Sequence, residues 1–168
     1  MEDRMPSKIL VSDTNIWIDL HHGGLLDAAF ELPYQFVTSE FAYFELHKPP
    51  GQALEERGLA VQGFAPEELQ VLFELKKELH NPSLADVSCY LIARENGWLL
   101  VTGDKKLRVA GQGQKLEVRG VLWILDELFR LDVVRGPDLA AALQAMLDRG
   151  ARLPDTECNQ RIKKWSNH

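Results

Sequence analysis

The chain has little cysteine. Cys89 and Cys158 are its only two, far apart and outside any metal-ligand or redox spacing. A disulfide framework is excluded, and both read as reduced, buried thiols of a cytosolic protein. No apolar run approaches the roughly 20 residues that a membrane-spanning helix requires. Residues 1–8 are charged and carry no apolar stretch of the kind a secretory leader needs, so the expected location is the cytoplasm. Positive charge is also short: 19 Lys and Arg face 25 Asp and Glu, a net charge of −6. A generic nucleic-acid coat, which needs clustered Lys and Arg, is therefore excluded, whereas an enzyme whose surplus acids hold metal ions is not. Gly111-Gln112-Gly113 lacks both a third glycine and a following Lys-Ser/Thr, so there is no phosphate-cradling loop. No Gly-x-Ser-x-Gly elbow or Cys-His nucleophile is present, and the chain has neither internal repeats nor low-complexity segments.

What is present is an alternation of strands and helices. At 168 residues the length fits one domain, which at this size buries roughly 70% of its unfolded surface without disulfide help. Strands are predicted at 8–12, 35–38, 59–64, 98–102 and 116–118 from short apolar runs. Helices are predicted at 15–20 and 25–32, broken by His21-His22-Gly23-Gly24. Ser39 caps a third that runs through Glu45 and is stopped by Pro49-Pro50-Gly51. Pro66 opens a helix at 67–80, and Ser83 opens another at 84–96 with Gly97 placed as its left-handed C-cap. A short polar helix or turn begins at Gly103-Asp104. Helices at 121–131, 137–147 and 156–165 follow. This order predicts an α/β fold, a parallel sheet with helices on both faces and extra C-terminal helices. The expected organisation is a single domain over 1–168, with a core of about 8–125 and a helical extension at 126–168.

Ligand crevices in open α/β sheets lie beyond the carboxyl ends of the strands. Asp13 directly follows the first strand and Asp104 follows the strand at 98–102. Asp86 stands in the first turn of the helix leading into that strand, and Glu45 lies late in the helix after the second strand. If the strands are neighbours, these acids converge on one edge. Several carboxylates within a few Å raise each other's pKa and are reconciled by a hard divalent cation with a preference for oxygen, Mg²⁺ or Mn²⁺. Such a site supports in-line phosphodiester hydrolysis. Each acid also has a structural alternative. Asp13 and Asp104 are suitable N-caps, and Asp86 stands three residues after Ser83, close to a capping box. Glu45, between Phe44 and Leu46, is also a plausible surface residue.

The segment Ile9-Leu10-Val11-Ser12-Asp13-Thr14-Asn15-Ile16-Trp17-Ile18 resembles the opening motif of PIN-domain nucleases. Leu84-Ala85-Asp86-Val87-Ser88-Cys89-Tyr90 resembles their internal helix, and Trp98-Leu99-Leu100-Val101-Thr102-Gly103-Asp104 their last motif. Glu45, within Phe41-Ala42-Tyr43-Phe44-Glu45-Leu46, falls where the family carries a helix-borne Glu. The resemblance spans roughly 8–125 and implies that Asp13, Asp86 and Asp104 hold the metal. It also implies that Glu45 completes the catalytic cluster and that Asn15 and Thr102 orient the carboxylates from behind. The C-terminal part, with Gly120-Val121-Leu122-Trp123-Ile124-Leu125 and then Gly150-Ala151-Arg152-Leu153-Pro154-Asp155, resembles the extra helices of VapC-like toxins. That likeness implies an endoribonuclease, a homodimer, and a cognate antitoxin protein as partner.

Lys105, Lys106 and Arg108 follow Asp104 and are either contacts for the RNA backbone or a solvated helix face. His21 and His22 read as turn residues. Two other functions are carried forward. One is a PIN-like binding module without catalysis. The other is a haloacid-dehalogenase-type phosphatase, disfavoured because its general acid would fall on Asn15, which has no carboxyl proton to give.

Overall fold

Among the described residues, five short strands lie side by side in a wholly parallel sheet whose three inner strands (Lys8–Ser12, Tyr34–Ser39 and Leu99–Val101) are mostly buried. The computed structural model describes residues 8–168; residues 1–7, which hold most of the charged N-terminal segment noted above, lie outside them. In chain order the elements are β1 (Lys8–Ser12), α1 (Thr14–His22), α2 (Leu26–Glu31), β2 (Tyr34–Ser39), α3 (Glu40–Glu45), α4 (Gly51–Glu55), β3 (Ala60–Gln62) and α5 (Pro66–Glu78). They continue as α6 (Leu84–Asn96), β4 (Leu99–Val101), α7 (Lys105–Gly113), β5 (Val118–Arg119), α8 (Val121–Arg130), α9 (Gly136–Asp148) and α10 (Asp155–Ser166).

The sheet order is β3-β2-β1-β4-β5. Val11 lies opposite Val37 on one side and Leu100 on the other, so β1 is central. Because side chains alternate across a strand, Leu10, Phe36, Leu99 and Val101 face one apolar layer with Trp17, Ile124, Leu143 and Trp165. Val11, Val37 and Leu100 face the other, with Leu72, Tyr90, Ile92 and Leu107. The C-terminal helices thus share a layer with α1 and α2, while α5, α6 and α7 cover the opposite face. Among the described residues no helix is long and apolar enough to cross a membrane. Cys89 and Cys158 are free and buried, as the sequence indicated.

The elements depart from expectation mainly in 51–82. Gly51, expected only to stop a helix, begins the short α4, and a Cβ there would stand 2.6 Å from the Tyr43 ring, so the close approach requires glycine. The strand expected over 59–64 narrows to Ala60–Gln62, the stretch that pairs with β2. Gly97 adopts φ 70, ψ 29 as the C-cap of α6. A Cβ there meets nothing within 4 Å, so Gly97→Ala carries a backbone cost alone. The expected loss is about 1 kcal/mol in chemical denaturation.

Candidate active site

The strand order reverses direction at β1 and β4, and crevices in open α/β sheets form at that point beyond the carboxyl ends of the strands. The backbone N–H of Asp13 meets the Val101 carbonyl oxygen at 3.4 Å, which ties the end of β1 to the end of β4. Asp13 is 1% exposed. One of its oxygens accepts from the Ile16 N–H at 3.4 Å, capping α1. The other accepts from the hydroxyl of Thr102, which is itself fully buried. The Thr102 hydroxyl in turn accepts the Asp104 N–H at 3.1 Å, and Asp104 caps α7 by accepting from Leu107 N–H at 3.0 Å. Asp86 is fixed at the start of α6 by Ser83, whose hydroxyl accepts its N–H at 3.0 Å.

The caps expected from sequence are therefore real for Asp13 and Asp104, and they coexist with a shared electrostatic environment. Burial pushes the Asp13 carboxyl up to about 7, the charge of Asp86 adds to it, and the Thr102 and Ile16 hydrogen bonds oppose it. Burial likewise pushes Asp86 up to about 6, with the charges of Asp104 and Glu45 adding. A carboxylate has about four lone-pair positions, so Asp13 and Asp104 keep acceptor capacity after these bonds. Among the described residues, no three His, Cys, Asp or Glu side chains stand close enough to make a ready-formed metal cage.

A cleft of about 780 Å³ opens over this edge, lined by Asn15, Asp86, Asp104, Lys105, Arg108 and Arg119 among others. Asn15 sits exposed on its wall. Glu45 is exposed at the end of α3 and reaches the group through its charge on Asp86. Lys106 is outside the cleft lining; its ammonium donates to the His80 carbonyl oxygen at 3.1 Å. Sequence reasoning missed Asp19, which lines the cleft one helical turn beyond Asn15. It also missed residues 150–154, which close the far wall. The i, i+4 relation between Asn15 and Asp19 was the available signal for the first.

A buried polar array backs the site. Thr38 donates to the Ser12 carbonyl oxygen at 2.7 Å, and Ser88 donates to the Ala85 carbonyl oxygen while accepting from the Ser39 hydroxyl. Cys89 lies among them with its thiol pushed up to about 12, first by burial and then by the charge of Asp13. This thiol stays protonated and is packing, not a nucleophile.

Thr102→Val keeps the volume and deletes the hydroxyl that orients Asp13. Second-layer groups of this kind are typically worth about 10–100-fold in metal affinity. A weakening of that size is expected in a calorimetric Mn²⁺ titration, together with an Asp13 carboxyl displaced further upward.

The family described as DUF3368, PIN domain, matches residues 9–167. Among solved structures, the chain is similar to a PilT N-terminus domain protein, SSO1118, from the hyperthermophilic archaeon Sulfolobus solfataricus P2. That similarity has a TM-score of 0.50 and 15% identity, and covers 72% of this chain and 93% of that one. It is also similar to PAE2754 from Pyrobaculum aerophilum, at a TM-score of 0.49 and 13% identity, over 74% of this chain and 98% of that one. No curated protein matches. The first of these likenesses shows the fold, and the family match runs from the first strand to the last helix: the chain belongs to the PIN-domain family.

Proposed function

We propose that the chain is a divalent-metal-dependent endoribonuclease, with Asp13, Asp86 and Asp104 holding the ion and Glu45 completing the catalytic group. PIN domains are typically nucleases and generally use divalent metal ions. The observation that carries the reading is Asp13, a carboxylate buried at the switch point of the sheet and facing the charges of Asp86 and Asp104. The cost of burying it falls when a cation neutralises it. The donors are all oxygens, a set that fits Mg²⁺ or Mn²⁺. When bound, such an ion supplies positive charge that stabilises a phosphodiester under attack and makes water a stronger nucleophile.

The remaining roles belong to the chain. Thr102 orients Asp13 and tethers the Asp104 backbone, and Asn15 stands at the cleft wall to orient carboxylates or substrate. Lys105 and Arg108 line the cleft on the side of α7, where they would hold flanking phosphates of a single strand. Within this reading the protein acts in the cytoplasm as a homodimeric toxin restrained by a small antitoxin, and residues 1–168 fold as one domain. A PIN-like binding module is the second reading, favoured by the lack of a ready-formed cage among the described residues.

Cleavage of a labelled single-stranded RNA pool with Mn²⁺ against EDTA tests the proposal, with Asp104→Asn as the variant because Asn still caps α7. Metal-dependent cut products that are lost in the variant are expected. An intact pool with Mn²⁺ and with Mg²⁺ would favour the binding module, and equal cleavage by the variant would overturn the assignment of Asp104.

A further inference from the structure

The cleft that Asp86 and Asp104 line is also lined by Asp19, and the function proposed above leaves Asp19 unused. Asp19 follows Asn15 by four residues on α1, so the two share a face roughly 6 Å apart along the helix axis. Its carboxyl has no hydrogen-bond or ion-pair partner among the described residues. Arg161, which also lines the cleft, is committed elsewhere: it donates twice to Asp126, at 2.9 and 2.8 Å, and lies within 3.8 Å of Glu157. Burial, with no neighbouring charge to offset it, pushes the Asp19 carboxyl up to about 6. Asp19 is thus a partly desolvated acceptor that faces a cavity and lacks a donor. Unmet acceptors of this kind are costly inside a protein and gain when a ligand supplies donors.

The cavity is of the size that holds small ligands, and it is contiguous with the proposed cleavage site. Resting on the endoribonuclease reading, we propose that Asp19 is a specificity-determining residue that selects guanine in the cleft that it lines. A carboxylate accepts two parallel hydrogen bonds. Guanine presents two adjacent donors, N1–H and the N2 amino group, on its Watson–Crick edge. Adenine, cytosine and uracil each interrupt that edge with an acceptor. Unpaired RNA bases are read on this edge.

The test is calorimetric titration of the full chain at pH 8 with GMP, AMP, CMP, UMP and xanthosine monophosphate, for wild type and Asp19→Asn. A bidentate contact of this kind is worth roughly 10–100-fold in discrimination. Wild type is expected to favour GMP over the other three natural nucleotides by that factor. Asp19→Asn, which presents one acceptor and one donor, is expected to lose the preference and turn to xanthosine monophosphate, whose edge pairs N1–H with the O2 acceptor. A purely structural Asp19 would not produce that exchange. No binding of GMP by wild type at millimolar concentration, equal binding of all bases, or an unaltered order in Asp19→Asn would each overturn the inference. Its failure is separable from that of the nuclease reading, which is judged by metal-dependent RNA cleavage and not by nucleotide affinity.

Discussion

Asp13→Asn is expected to abolish metal-dependent RNA cleavage while making the metal-free protein more stable. Both effects have one cause. Asp13 is buried with its carboxyl at about 7, against an ordinary value of 3.8. The folded state therefore holds its proton more tightly than the unfolded chain. For an acid with a raised folded value, the stability contribution is greatest below about 4 and is lost as pH climbs towards 7. At pH 8 the buried charge costs roughly 2–4 kcal/mol in the absence of a cation. Asparagine carries no charge; its Oδ1 accepts from the Ile16 N–H in place of the carboxylate, and its Nδ2 turns a donor to the Thr102 hydroxyl. The variant without added metal should then melt roughly 5–10 °C above wild type at pH 8 and close to it at pH 4. Added Mn²⁺ should raise the wild-type melting temperature and leave the variant where it was. Cleavage should fall by roughly 100-fold or more, since the ion loses its buried ligand. Scanning calorimetry at the two pH values, with and without Mn²⁺, checks the stability half. A variant less stable than wild type at pH 8 would contradict it.

Trp165→Ala is the second large effect, and it concerns the wall of the cleft. Trp165 is 1% exposed near the end of α10 and lies against Phe129 at a centroid distance of 6.1 Å. The backbone of α10 approaches α9 so closely that a Cβ on Gly136 would stand 2.4 Å from the Trp165 carbonyl oxygen. Truncating a fully buried tryptophan costs roughly 3–5 kcal/mol, partly through the cavity left behind. For a chain of this size that lowers Tm by about 8–15 °C. Because α10 holds the ends of the connection at 150–154 against the cleft, substrate affinity should also weaken. The acids at the strand ends belong to other elements, so Mn²⁺ affinity should change little. A calorimetric melt and an Mn²⁺ titration on the same variant separate the two outcomes.

The parts of this protein that were legible in the sequence are those fixed by neighbours in the chain. The Ser39 and Ser83 caps and the Gly97 C-cap depend on contacts within four residues, and the strand from Ile9 to Ser12 is announced by its own apolar run; each formed where expected. Convergence of Asp13 and Asp104 required β1 and β4 to be neighbours, which the sequence left conditional and the order β3-β2-β1-β4-β5 supplies. The segment 51–82 was least legible. Its Gly51 packs against the Tyr43 ring and its strand depends on parallel pairing with β2, both contacts made only after folding. Asp19 was hidden for a related reason: an acid on a helix next to the polar His21 and His22 looks solvated until the fold encloses the cleft around it. Lys106 shows the converse. Its position in a basic cluster suggested the cleft, but the positive-φ turn at His80 presents a carbonyl oxygen that engages it instead.

The most direct test of a metal-dependent nuclease centred on Asp13 is cleavage of a mixed single-stranded RNA pool at pH 8 with Mn²⁺. Wild type and Asp13→Asn would be compared at equal concentration after calorimetry has shown both folded. Wild type should cut and the variant should not, with EDTA reproducing the variant's result on wild type. Cleavage by a folded Asp13→Asn at the wild-type rate would contradict the assignment of this carboxylate as the centre of the site.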